Sequence, residues 1–290
     1  LGINDLSLLP NINWDSGFYD WWRPENLLPL EYLKDVIDNK VISYPTKRDF
    51  LADNGTSLLS SMLHFGEISP RMIWRGVRKR YGDKEEVEVF LRQLGWREFG
   101  HYLLYHFPYL PTDPIRTQYA QLPWDENPNR LKAWKEGMTG YPIVDAGMRQ
   151  LWKTGWMHNR ARMIVGSFLV KDLLIDWREG ARWFWETLVD ADLANNSMGW
   201  QWVAGCGVDA APYFRVFNPV SQGEKFDPSG DYVRRWVPEL ASLPDKWIHA
   251  PWEAPPLLLR SAGVVLGKDY PYPIVNHAEA REKFLEMMKG

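Results

Sequence analysis

Three short segments carry side chains whose types and spacing suit work on a flat, polar ligand. In the first, Gln93, Trp96, Arg97 and Gly100 recur at helical spacing and share one face of any helix that carries them. An amide, a broad ring, a guanidinium and a gap can together read a base. The amide hydrogen-bonds, the indole stacks, and the arginine pairs with phosphate or carboxylate. The same pattern also describes a solvated face with a snorkelling arginine. In the second segment, Asn159, Arg162, Met163 and Gly166 fall together. Polar groups beside a methionine on a core-facing stripe need partners, because an unpaired buried polar group costs free energy. Asp190 and Asp192 are candidate partners for the arginine, and a purely structural ion pair would satisfy the pattern equally. In the third, Asp190 and Asp192 stand two apart, cannot share a helical face, and predict a helix start. Asn196 and Trp200 stand four apart and do share one. Paired carboxylates also serve glycoside hydrolysis, but this spacing is not diagnostic of it. A basic stripe, Arg71, Arg75, Arg78 and Lys79, suits either a DNA backbone or a solvated helix face.

Other chemistries find no support. Gly205-Cys206-Gly207-Val208-Asp209-Ala210 matches a dinucleotide fingerprint, but that motif needs a strand before it and a helix after it. Here an aromatic helical stretch precedes it. The six histidines show no metal spacing; His101 and His106 stand five apart, so no metal site is expected. There is no Walker loop and no nucleophile elbow.

The elements that must hold these residues are helices. Long β-branched alternation is nearly absent, which predicts an all-α fold. Ser69-Pro70 marks a helix start, with the helix running to about Tyr81 and ending at Gly82. Asp83 with Glu86 resembles a capping box opening a helix that runs to Phe107, where Pro108 stops it. On that helix Val87, Leu91 and Leu94 form the core face. Further helices are expected near 143–154, 158–175, 178–188, 192–203 and 277–289, with proline-rich loops over 108–128 and 238–256. Residues 1 to about 25 read as a connector.

The chain has 290 residues, a formal net charge of −3 and one cysteine, Cys206. It is no bulk polycation, so nucleic-acid contact requires a local patch. An intrachain disulfide is impossible, which suits a reducing compartment and a cytoplasmic location. No apolar run approaches the ~20 residues that span a bilayer, so no membrane partner is expected. Seventeen tryptophans are conspicuous; most suit core and interface packing.

Taken in order, these segments resemble the photolyase and cryptochrome family. The similarity begins near residue 40 and rests on 137–149 (Gly-Met-Thr-Gly-Tyr-Pro-Ile-Val-Asp-Ala-Gly-Met-Arg), 156–163, 195–202, 209–215 and Asn218-Pro219. The resemblance implies an all-helical domain holding a bent, non-covalent FAD, active when reduced, without the family's amino-terminal α/β antenna domain. Residues 1–40, with Leu8-Leu9-Pro10 and Trp14, look like the end of the interdomain linker plus a first helix, and 41–290 like the catalytic domain. No antenna chromophore is expected in such a fragment, and a monomer is expected.

The resemblance also implies residue roles. Tyr44 and the run Thr56, Ser57, Leu58, Leu59 and Ser60 match FAD and phosphate contacts, as hydroxyls and N–H groups at a helix start would. Asp190 and Asp192 match the acids near the flavin ring and ribityl chain, with Arg162 paired to Asp190. Asn196 matches the residue facing flavin N5. Trp200, Trp177 and Trp124 match the electron-carrying tryptophan chain. Arg48, Gln93, Trp96, Arg97, Asn159, Arg160, Met163, Trp202 and Gln222 match lesion-pocket or DNA contacts. The implied partner is damaged DNA with a flipped-out pyrimidine dimer.

Subtypes differ at a few of these positions. The (6-4) photolyases carry histidines at the Asn159 and Met163 positions, and plant-type cryptochromes an aspartate at the Asn196 position. These three residues point to a cyclobutane-dimer photolyase. Gln93 departs from the glutamate usual there and is commoner in (6-4) enzymes and animal cryptochromes. A flavin photoreceptor without repair activity and a cofactor-free helical nucleic-acid module are the rivals.

Overall fold

The computed structural model describes residues 3–6, 12–22, 28–210, 212 and 215–289. Leu8-Leu9-Pro10, Pro24, and Ala211, Tyr213 and Phe214 of the 209–215 motif lie outside the described residues. Among those described, regular structure is helical and no strand forms; one isolated bridge joins Leu266 and Tyr270. The helices are α1 (Pro29–Asn39), α2 (Tyr44–Lys47), α3 (Ser60–His64), α4 (Pro70–Tyr81), α5 (Glu85–His106), α6 (Pro128–Glu136), α7 (Pro142–Thr154), α8 (Asn159–Ser167), α9 (Trp177–Thr187), α10 (Leu193–Ala204), α11 (Pro219–Phe226), α12 (Asp231–Trp236), α13 (Asp245–Ile248), α14 (Pro256–Ser261) and α15 (His277–Met287). No described helix is long and apolar enough to cross a membrane.

Proline and a short polar residue start many of them. Ser69 accepts from the Met72 N–H ahead of Pro70, Asn127 from Arg130 ahead of Pro128, and Asn218 from Val220 and Ser221 ahead of Pro219. In each, a side chain satisfies an orphan donor and the proline presets φ. The Asp83–Glu86 capping box does not form. Lys84 is the residue before α5 and makes no side-chain cap, while Asp83 lies 3.2 Å from Arg78 instead. The helix expected over 158–175 is also divided. Its α portion ends at Ser167, and a wider π-turn follows over Phe168–Asp172. Leu174 then takes a positive φ of 57°, which breaks the run. Helices α2, α6, α11, α12, α13 and α14 were not expected; all are short, α6 opens where the loop 108–128 was expected to close, and α13 interrupts the loop expected over 238–256.

Two apolar cores form. The smaller joins α1, α4 and the first half of α5 through Val36, Ile73, Val77, Val87, Leu91 and Leu94. The larger gathers α7 to α10, α12 and α15 around Val144, Leu151, Val165, Phe168 and Trp200. The motif 137–149 is an anchor within it. Buried Asp145 accepts from Thr139 N–H and Oγ1, Gly140 N–H and the Tyr270 hydroxyl. Helix α5 gives its first half to the smaller core, and its second half runs against α10, with Gly100 beside Ala194 and Asn195.

Candidate functional site

A cavity of about 500 Å³ opens between α5, α8, α9 and α10. It is within the range of small-molecule sites. All three segments singled out by spacing converge on it. Gln93, Trp96 and Arg97 line it from α5, Asn159, Arg162, Met163 and Gly166 from α8, and Asp190, Asp192, Asn196, Trp200 and Trp202 from α10 and the turn before it. Gly100 is also needed. A Cβ there would sit 3.2 Å from the Asn195 side chain, so the glycine lets α5 approach α10 closely.

The polar groups of the wall are ordered by one another. Arg162 Nη2 donates to both oxygens of Asp190, at 3.0 and 2.9 Å, and its Nε donates to the Met157 carbonyl. The Asp190 side chain is only 3% exposed. Burial of that carboxylate is tolerable because a charge partner is fixed against it. Asp192 was the other candidate for the arginine, and the structure gives it different partners. It caps α10 by accepting from the Asn195 N–H at 2.9 Å and from its side chain, and lies 3.3 Å from His101 Nε2. Burial works against the Asp192 carboxylate, but the Asn195 hydrogen bonds, with His101 and Arg97 nearby, outweigh it and hold the group below the usual carboxylate range. Asn196 donates to the Ala181 carbonyl at 2.9 Å, which fixes its amide with the oxygen turned away from that bond.

The floor is aromatic. Trp200 is buried and stands edge-on to Phe184, centroids 5.0 Å apart, and to Trp134 at 6.2 Å. It lies against Gly180 and Gly166, where no side chain intrudes. Gln201 lines the cavity next to Trp200, and its amide is committed to the loop after α5. It donates to the Leu110 and Asp113 carbonyls and accepts from the Ile115 N–H, pinning the loop after α5. Just beyond, Gly205 ends α10 in the left-handed conformation, φ 84°, and a turn follows. The fingerprint match there is a helix end. Cys206 is buried beside it, its thiol pushed up to about 12 by burial.

Other expected residues lie elsewhere. Tyr44 packs edge-on to Phe90 at 5.2 Å with Arg48 over its ring, and Thr56–Ser60 leads into α3; neither group lines this cavity. Leu58 in that run has a positive φ of 56°. Arg160 pairs with Asp49 at 2.8 Å and covers Phe226, and Gln222 sits half-buried on α11. Trp177 is buried and Trp124 half-buried, both packed into the larger core. On α4, Arg71, Arg75 and Lys79 are exposed, while Arg78 is tied to Glu88 at 2.7 Å. His106 lies 4.3 Å from Tyr102 and 5.1 Å from Tyr105, and no metal-ligand cluster forms among the described residues. Spacing missed His101 and Asn195. Asn195 stands three after Asp192, a cap relation that was readable; His101 pairs across helices and was not.

The wall fits a flat heteroaromatic group. It offers a buried ion pair, an oriented amide and an apolar floor, and at Gly199 a Cβ would meet no atom within 4 Å. Comparisons with known proteins agree. The description "FAD binding domain of DNA photolyase" matches residues 90–290. A deoxyribodipyrimidine photo-lyase of Agrobacterium fabrum is 52% identical over 286 residues, 98% of this chain and 60% of the relative. Cryptochrome-2 of Arabidopsis thaliana is 44% identical over 270 residues, 90% of this chain and 44% of the relative. The crystal structure of a class III photolyase from Agrobacterium tumefaciens superposes with a TM-score of 0.95 at 51% identity, covering 100% of this chain and 61% of that one. The chain thus spans about 60% of the photolyases it matches. With its helical architecture, its cavity and these matches taken together, the chain belongs to the photolyase family through that family's FAD-binding domain.

Proposed function

We propose that this domain repairs cyclobutane pyrimidine dimers in DNA under light, with reduced FAD seated in the cavity between α5, α8, α9 and α10. The observation that carries the reading is the convergence of Arg162–Asp190, Asn196, Asn159, Met163, Trp96 and Trp202 on one cavity. Bound FAD would supply a photoexcitable one-electron donor. The chain's residues do the rest. Arg162 and Asp190 would orient the flavin's polar edge, and Asn196 would offer it an amide oxygen without adding charge. Asp192 takes the ribityl hydroxyls. Tyr44 and Thr56–Ser60 hold the phosphates from α2 and the start of α3.

Trp96, 40% exposed, and Trp202 at the rim stack the flipped dimer. Gln93, Asn159 and Met163 meet its edges. Arg48, Arg97, Arg160 and Gln222 meet the strand around it. Trp200, Trp177 and Trp124 would provide an aromatic path for electrons toward the bound flavin. Units 1–40 and 41–290 correspond to linker plus first helix and to catalytic domain, and the domain acts as a monomer.

A second reading is a flavin photoreceptor without repair, favoured by the 44% identity to a cryptochrome. One experiment separates them. The FAD-loaded, reduced protein is mixed with an oligonucleotide bearing one cyclobutane thymine dimer, illuminated in blue light, and base absorbance is followed against a dark control. Light-only recovery is expected. No recovery from protein that holds reduced FAD would overturn the repair reading and leave the (6-4) lesion and the photoreceptor to be tested.

A further inference from the structure

A second cavity, of about 800 Å³, lies behind the first. The partition between them is aromatic. Trp134 of α6 is fully buried and stacks parallel to Phe184 of α9 at 6.3 Å. The next residue on α6, Lys135, and the preceding one on α9, Trp183, line the far side. Trp183 and Trp152 stack there with centroids 5.8 Å apart and planes within 5°, and Lys135 Nζ sits 4.8 Å over the Trp183 ring. Trp152 is 49% exposed with the Trp14 ring 6.2 Å away, and Trp236 also lines the cavity.

The charge of the rim is one-sided. Lys132, Lys135, Arg149, Lys153 and Arg235 face the space against one lining carboxylate, Glu136. Arg149 is neutralised by Glu239 at 2.7 Å, and Glu136 lies 3.9 Å from Lys132. Lys135, Lys153 and Arg235 make no ion pair among the described residues. Three uncommitted cations around half-exposed indoles select a ligand with a flat π-face and at least two negative charges. The indoles provide stacking, and the long basic stems reach over the ring to a charged tail.

We propose that this cavity binds a nucleotide, a planar heteroaromatic base carrying phosphates, at a site separate from the flavin cavity. The base lies against the Trp152–Trp183 stack and displaces the Lys135 ammonium toward the phosphates. Lys153 and Arg235 take the remaining phosphate charge.

Calorimetric titration of the FAD-loaded protein with ADP, inorganic pyrophosphate and adenosine tests this, with FAD content measured by absorbance in every sample. The expected result is one ADP per chain, bound more tightly than either fragment. The double charge reversal K153E/R235E, both at exposed positions, should weaken ADP by about tenfold or more at unchanged FAD content. Trp183→Leu should weaken ADP by about tenfold while leaving pyrophosphate unaffected. Absence of ADP binding at millimolar concentration would overturn the proposal. So would ADP binding indifferent to K153E/R235E, or seen only in FAD-free protein, since that locates the nucleotide in the flavin cavity.

Discussion

Gln93 commits one amide hydrogen to its own helix: Nε2 donates to the Val89 carbonyl at 2.9 Å. The amide oxygen and the second N–H are left for the cavity. A carboxylate at this position cannot make the bond to Val89 and would be repelled by that carbonyl. It would swing outward, where a protonated or charged oxygen can meet the lesion edge. Gln93→Glu is therefore expected to raise the yield of dimer repair per absorbed photon, read as base-absorbance recovery at fixed light dose. An unchanged or lower yield would sink this account. Residue types at helical spacing made this face legible: Gln93, Trp96 and Arg97 line one cavity with Asn159, Arg162, Met163 and Gly166, while Gly100 of the first group lies against Asn195. What spacing did not supply was the choice between a solvated face and a cavity wall. That depends on what α10 brings opposite, and no local pattern encodes it.

Helix α9 meets α10 at a glycine. A Cβ on Gly180 would come within 2.1 Å of the Trp200 ring, with further ring carbons at 2.4 and 2.6 Å. The indole is backed by Phe184 and Trp134, which leaves the cavity as the side it can be pushed toward. Gly180→Ala should thus lower stability by about 1–3 kcal/mol or more, the usual cost of overpacking, and displace Trp200 into the cavity. Thermal unfolding together with FAD content checks it; an unchanged melting temperature would contradict the packing described. Elements of this kind were read well where a cap and a proline coincide. Ser69-Pro70 and Gly82 gave α4 its full extent. The same signal in Asn127-Pro128 marked α6 but lay at the end of the proline-rich loop expected over 108–128, and in Asn218-Pro219 it marked α11, for which no helix was expected. The capping box at Asp83 failed because Arg78, one turn before the end of α4, competes for the aspartate. The π-turn over Phe168–Asp172 had no local signature. Its bonds are set by tertiary demands, with Lys171 donating to the Arg215 carbonyl and Asp172 meeting His277 of α15.

Across the whole molecule, buried titratable groups pull stability in opposite directions with pH. Burial pushes Asp172 and Asp227 up to about 6, so each binds a proton more readily folded than unfolded; their contribution is present at low pH and lost as pH rises through about 6. Burial, with Arg160, Arg162 and Arg48 nearby, brings His158 down to about 4 although Asp49 opposes it. The unfolded chain then binds the extra proton, and stability from His158 is present above the ordinary imidazole value and lost as pH falls from about 6.5 to 4. His158 also accepts from the Arg160 N–H at the start of α8, and its Nε2 is buried without a partner. Asparagine preserves such a cap and does not titrate. His158→Asn should gain on the wild type by about 3 kcal/mol between pH 7 and pH 4, measured by denaturant unfolding across that range. A constant difference would show that His158 does not stay neutral in the folded state. The all-helical class was legible from the missing alternation. The partition of the interior into two cores was not, since it depends on which helices meet across long sequence separations.

If the domain works under light with bound flavin, as proposed, the buried Cys206 has a consequence. Illuminated flavin and oxygen generate peroxide, and peroxide attacks thiolate rather than thiol. With its proton held up to about 12, Cys206 has almost no thiolate at neutral pH, and its sulfur lies 3.8 Å from the Gln201 carbonyl under the end of α10. The one sulfhydryl in the chain therefore sits beside the photochemistry without becoming its casualty, and oxidative ageing falls instead on exposed methionines such as Met72 and Met138.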